Sequence, residues 1–195
     1  MPRSGADARR RLQQAALDLY REHGFDQTTA ADIAERAGVN ARTFFRHFPD
    51  KREVLFDGEA DLRAALLRYV TEAPGGLTPV EVLLHAFRQA ATILEDNRPY
   101  SEPRLALIAA TPTLRERDLA KGAAMAATIA EGLRRRGVDD RLADLAAHTG
   151  WAAFHHAAQN WIDDPEPGLD VYLKHAFADL RVLFTPAEPT PHRPS

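Results

Sequence analysis

The stretch GVNARTFFRHFPDK, residues 38–51, decides how the chain is read. Phe44 and Phe45 stand side by side, Phe48 follows, and Arg42, Arg46, His47 and Lys51 are interspersed. A half-buried strand alternates apolar and polar positions, and this stretch does not. On a helix, Phe44 and Phe48 are four residues apart and share a face. Phe45 lies about 100° away, beside Ala41, Arg42 and Arg46. The adjacent rings therefore belong to two surfaces, one for packing and one turned outward. Asn40 is placed to cap this helix over residues 41–48, and Pro49 ends it. Gly38 permits the positive φ of a tight turn before it, with Val39 plugging the junction.

Upstream, residues 6–23 place Leu12, Ala16 and Leu19 on one helical face. Gly24 supplies a left-handed stop, and Phe25 is the apolar residue that packs back on it. Thr28 or Thr29 caps a helix over residues 30–37 whose inward face is Ile33, Ala34 and Ala37. Two short helices joined by a tight Gly-containing turn have the spacing of a helix-turn-helix, whose second helix sits in the major groove. The outward aromatic and the arginines suit that groove, since Arg pairs with guanine or phosphate. Asp50 is expected to cap a fourth helix, 51–72, whose start would present Lys51 and free N–H groups to phosphate. Arg9, Arg10 and Arg11 are either an arm to an adjacent minor groove or a solvated helix start.

The 195 residues allow one large or two small domains. The absence of cysteine excludes disulfides, Cys-ligated zinc and thiol catalysis, and points to a cytoplasmic location. No apolar run reaches membrane-spanning length, so no membrane partner is expected. The net charge of −3 argues against a generic polyanion binder. Residues 1–55 nevertheless carry ten Lys and Arg against eight Asp and Glu, a slightly basic head on an acidic body. Strand signals are missing, and the fold class is all-α, at about nine helices. Past the PGG break at 74–76, helices are expected over 79–97, 104–110, 112–136, 141–162 and 169–184, with NRPYSEP (97–103) as a break. The tail, 186–195, is Pro-rich and expected to be disordered.

In the body, Asp144, His148, Trp151, His155 and Gln159 fall near one helical stripe. Ligands two turns apart on a straight helix converge poorly on a metal, and no metal or other cofactor is expected. The few serines lie in no nucleophile elbow, which argues against an enzyme. The small residues Ala146, Ala147, Gly150, Ala153, Ala157 and Ala158 allow close helix approach. With Leu169, Leu173, Phe177, Leu180 and Phe184 they would form a four-helix dimer seam. His148 and His155 fit either that seam or a pocket. Pocket candidates are His85, Arg88 and Gln89, polar groups in an apolar helix, together with Tyr100, Met125, Trp151 and His155. Arg88 would suit an anionic ligand if it faced inward.

TTAADIAERAGVNARTFFRHFPDKREVLF, residues 28–56, resembles the helix-turn-helix of the TetR family of bacterial regulators, and the likeness extends over residues 12–56. The resemblance implies a head, 1–50, that binds operator DNA, and a body, 51–185, that binds a small-molecule effector and makes a homodimer through the last two long helices. It implies that Thr28 or Thr29 binds phosphate, that Ala41 and Arg42 approach base edges, and that Thr43, His47 and Lys51 bind the DNA backbone. Members commonly have Tyr where this chain has Phe45, so that contact must be apolar, to a sugar or a thymine methyl. The function implied is a ligand-released repressor. The alternatives are an activator or ligand-independent regulator of the same fold and, more remotely, a carrier or enzyme with a vestigial head.

Overall fold

The computed structural model describes residues 3–183; Phe184 and the 186–195 tail lie outside them. Among the described residues the chain is helical throughout. Its elements are α1 (Arg3–His23), α2 (Ala30–Arg36), α3 (Ala41–His47), a 3-10 turn (Glu53–Phe56), α4 (Glu59–Thr71), α5 (Pro79–Asp96), α6 (Arg98–Ala110), α7 (Pro112–Arg135), α8 (Asp140–Asp163) and α9 (Leu169–Val182). No helix is long and apolar enough to cross a membrane among these residues.

Two expected elements differ. The helix expected over 51–72 is divided: the 3-10 turn stops at Asp57, Gly58 takes φ +83°, and α4 begins at Glu59. The 3-10 turn buries Val54, Leu55 and Phe56 in succession, which a regular helical face does not do. α6 starts at Arg98, inside the expected NRPYSEP break. Pro99 falls in its first turn, where the missing N–H would have had no helical partner. Pro103 lacks the N–H that would otherwise donate to the Pro99 carbonyl, so α6 forgoes one internal bond there.

The chain forms two compact units, and the division falls within α4 and within α7. The first contains the residues up to Ala65 and Asp96–Ala124. The helix-turn-helix is therefore packed as one unit with α6 and the first half of α7. Its core joins Leu12, Ala16, Leu19 and Tyr20 of α1, Ile33 and Ala34 of α2 and Phe44 of α3. Phe48, the 3-10 turn, Ile108 of α6 and Leu114 of α7 complete it. The second unit contains Leu66–Glu95 and the chain from Met125 onward. Its core combines buried aliphatic residues such as Leu83, Ile129, Leu133 and Leu173 with a group of rings: Phe87 of α5 stacks on Phe154 of α8 at 4.9 Å and contacts Phe177 of α9 at 6.0 Å. Trp151 stacks on Phe154 at 5.0 Å.

The small residues expected at a dimer seam lie largely inside this second unit. Ala147, Gly150, Ala153 and Ala157 are buried, as are Leu169, Leu173 and Phe177. A Cβ on Gly150 would stand 2.6 Å from Leu83, so α5 covers this stripe. Spacing identified a close-packing face but not what covers it.

Candidate nucleic-acid interface

Each short helix of the head is fixed by its own cap. Thr29 begins α2 with a reciprocal capping box: its hydroxyl accepts from the Asp32 N–H, and the Asp32 carboxylate accepts from the Thr29 N–H at 2.8 Å. α2 ends on Gly38 at φ +68°, where the Val39 N–H returns to the Ala34 carbonyl at 2.9 Å. Asn40 then caps α3, its side-chain oxygen accepting from the Thr43 N–H at 2.8 Å. Asn40 is thus committed to holding α3 in place.

α3 has the two surfaces expected of it. Phe44 is fully buried and Phe48 nearly so, whereas Phe45 is 57% exposed. Ala41, Arg42 and Arg46 are exposed beside Phe45, and Thr43 and His47 are half-buried. Neither Arg42 nor Arg46 makes a hydrogen bond or ion pair among the described residues. Neighbouring cations in the same unit do: Arg36 pairs with Glu22, Arg52 with Asp50, and Arg117 with Glu53.

Several residues expected to meet phosphate are turned elsewhere. Thr28 is buried, and its hydroxyl donates to the Gly24 carbonyl at 2.9 Å. Thr29 remains exposed. The Lys51 ammonium donates to the carbonyls of Phe25 at 2.7 Å and Thr28 at 2.8 Å, and lies 4.3 Å from the centroid of the Phe25 ring. It pins the α1–α2 loop. The N–H groups of Arg52 and Glu53, expected to be free, are accepted by the Asp50 carboxylate. Burial opposes ionisation of Asp50, but these bonds and that of the Arg52 guanidinium outweigh it and hold its pKa low. Arg9 is no arm: it pairs with Asp57 and lies over the Phe48 ring at 5.4 Å.

His47 is a group that sequence did not single out for its surroundings. Its Nε2 is enclosed and has no hydrogen-bond partner among the described residues. Burial, then the positive charges of Arg46 and Arg9, push its pKa below the ordinary histidine value, with Asp57 opposing.

α6 and α7 grip the 3-10 turn. The Tyr100 hydroxyl donates to the Val54 carbonyl at 3.1 Å, and Arg104 donates to the Leu55 carbonyl at 3.0 Å. Burial pushes the Tyr100 phenol up to about 12 and lowers the Arg104 guanidinium. Lys121 pairs with both Glu53 and Glu59. Tyr100 therefore belongs to the head's unit, apart from the other pocket candidates. Those lie in the second unit, where Met125 is buried and His85 and Trp151 are half-buried. Gln89 and His155 are exposed, and His155 meets the edge of Trp151 at 5.0 Å. Arg88 does not face inward: it is exposed and paired with Asp170. His148 is exposed, and its Nδ1 lies 2.9 Å from the Asp144 carbonyl. No cluster able to hold a metal is found among the described residues.

Residues 12–57 match the family model of bacterial regulatory proteins, tetR family, and residues 77–185 match that of the MftR C-terminal domain. MftR of Mycobacterium tuberculosis, named for the regulation of mycofactocin biosynthesis, is 25% identical over 186 residues, covering 91% of this chain and 94% of MftR. TcmR of Streptomyces glaucescens, an HTH-type transcriptional regulator, is 38% identical over 80 residues. That match spans 41% of this chain and only 35% of TcmR. Among solved structures, FadR of Thermus thermophilus, a TetR-family transcriptional repressor in complex with lauroyl-CoA, superposes with a TM-score of 0.55 at 27% identity. The superposition covers 96% of this chain and all of that one.

Proposed function

The chain belongs to the TetR family of bacterial regulatory proteins, and on that premise we propose that this transcriptional regulator is a homodimeric, ligand-released repressor of a palindromic operator. Two α3 helices enter successive major grooves, about 34–36 Å apart. The observation that carries the reading is the outward face of α3, where Arg42 and Arg46 are exposed beside Phe45 and make no ion pair among the described residues. Thr29, Ala41 and Thr43 border that face. Asn40, Thr28 and Lys51 serve it indirectly, by fixing α3 and the loop before α2.

Functionally, residues 1–50 are the head and 51–185 the effector and dimer body. The dimer forms through α8 and α9 on the side not covered within the chain. Leu142, Leu145 and Ala152 of α8 and Ala178 and Val182 of α9 are exposed there. The effector binds in the second unit near Trp151, and stabilises a body conformation whose head spacing no longer matches the operator. FadR, which binds lauroyl-CoA, makes that acyl thioester the first compound to try.

The test is selection of bound duplex DNA from a random pool, followed by titration of the selected site over a salt series. Wild-type protein should bind with two chains per site. Arg42→Ala with Arg46→Ala should weaken binding about 100-fold or more and flatten the salt dependence by about one to two units of slope. Wild-type affinity in the double variant would reject α3 as the reading element. Reporter output in a deletion strain separates repressor from activator, and release of the site by added effector separates the ligand-responsive regulator from the ligand-independent one.

A further inference from the structure

Phe45 is the sole aromatic among the large, well-exposed apolar side chains of the described residues. Its ring meets Phe44 edge-on, with centroids 5.3 Å apart and planes at 82°. Phe44 is itself fully buried. The exposed ring thus rests with one edge against a buried neighbour and leaves its outer surface open to a partner. Phe45 has no hydroxyl and can neither donate to a phosphate nor bond a base edge.

Around the helix, Ala41 lies one turn before Phe45 on the same edge, while Arg42 and Arg46 lie on the next edge. α3 thus presents an apolar edge and a cationic edge side by side. The cationic edge complements phosphate and guanine, which commits the surface to duplex DNA. In the major groove the base pairs offer nitrogen and oxygen atoms and one apolar feature, the thymine 5-methyl group. A ring laid on polar edges strips their water and returns no hydrogen bond. A ring laid on a methyl group removes apolar surface from water on both sides.

Resting on the regulator reading above, we propose that Phe45 determines operator sequence by packing on the 5-methyl group of one thymine in each half-site. Deoxyuridine lacks only that methyl, so it isolates the contact. In the selected operator, each thymine is replaced in turn by deoxyuridine and binding of the full-length wild-type protein is measured. One thymine per half-site should respond, with an affinity loss of about four-fold, the worth of one apolar carbon returned to water. The other thymines should be silent. Phe45→Ala should weaken binding to the thymine operator and no longer distinguish it from the deoxyuridine operator. Phe45→Leu should restore part of that distinction.

A flat deoxyuridine series, or a selected half-site without thymine, overturns the proposal while leaving the DNA-binding reading intact. Continued discrimination by Phe45→Ala assigns the methyl contact to another residue and overturns it equally. Failure to retain any duplex would reject the regulator reading itself. The wild-type series needs no variant, so the result does not depend on the substituted chains folding.

Discussion

Both compact units have an apolar core, but they differ in what fastens their helices around it. In the first, side chains reach backbone carbonyls and carboxylates: Lys51 to Phe25 and Thr28, Tyr20 to the Lys51 carbonyl, Tyr100 to Val54, Arg104 to Leu55, Lys121 to Glu53 and Glu59. In the second, rings stack on rings across α5, α8 and α9, and glycines on α7 and α8 let neighbouring helices close in. The difference follows from helix length. α2 and α3 have seven residues each and the 3-10 turn has four. Elements this short satisfy few of their own backbone groups and are unstable alone. Polar side chains must complete them. α5 and α8, at 18 and 24 residues, satisfy most of theirs and lean more on apolar contact. Polar fastenings in the second unit also gather at helix ends: Arg136 donates to the carbonyls of Thr71 and Ala73, where α4 ends, and Glu95 accepts from the Leu169 N–H, where α9 begins.

That contrast is most sharply tested by removing one fastening of each kind. Phe87→Ala takes away the ring at the centre of the stack and should destabilise the protein by about 4 kcal/mol. Lys51→Met keeps most of the stem over Phe25 but leaves the loop carbonyls without their donor, at a cost of about 2–3 kcal/mol. Amide hydrogen exchange should then differ in location. The first variant should lose protection in α5, α8 and α9, and the second in α2 and α3. Loss in the same helices for both would dissolve the distinction. Because Lys51 fastens the loop, its variant should also weaken DNA binding without reducing the salt slope, unlike a residue that touches phosphate.

Within the second unit, the two closely packed glycines sharpen the same point about rigidity. A Cβ at Gly132 would stand 2.8 Å from Val70 Cγ1 and 3.1 Å from Val70 Cβ, and a β-branched side chain has little room to turn. At Gly150 the closest atom is Leu83 Cδ1 at 2.6 Å, the end of a side chain that can rotate, with the next contact at 3.5 Å. Alanine gains about 1 kcal/mol of helix propensity at either position. Gly132→Ala should still lose about 1 kcal/mol net through overpacking, while Gly150→Ala should be neutral or slightly stabilising. Urea midpoints of the two variants measure the ordering, and equal shifts would show that the leucine is as confined as the valine.

How much could be read from the sequence depends on what kind of partner a residue has. Phe44 and Phe48 were placed inward by spacing alone, since four residues return a helix to the same face. The cap at Asn40 was legible because a cap acts within three residues, and the cap of α2 was narrowed to Thr28 or Thr29, of which the structure uses Thr29. Lys51 was not, because its acceptors are main-chain carbonyls 23 and 26 residues upstream, which carry no side-chain signature. The break before α4 did leave a signal, the Asp57-Gly58 pair, a turn dipeptide that the apolar run before it concealed. On α8 the small-residue stripe revealed close packing, but Leu83, which covers Gly150, lies on a different helix far away in the sequence.

The smallest effect concerns His47, where the head's reliance on polar fastening is incomplete. Its Nε2 is enclosed without a hydrogen-bond partner among the described residues, and burial, Arg46 and Arg9 disfavour its cation while Asp57 partly compensates. The unfolded chain takes up the proton near the ordinary histidine value, about 6.5, and the folded chain only at lower pH. In the interval between them the unfolded state holds more protons, so folding loses stability as pH falls through it. The contribution is fully present above the ordinary value and lost below the folded one. His47→Gln cannot titrate, so wild type and variant should differ in how their urea midpoints change from pH 7.5 to pH 5, with the wild type falling more. Parallel curves would mean that the imidazole finds a proton acceptor in the folded head, and that this head, too, leaves no polar group unfastened.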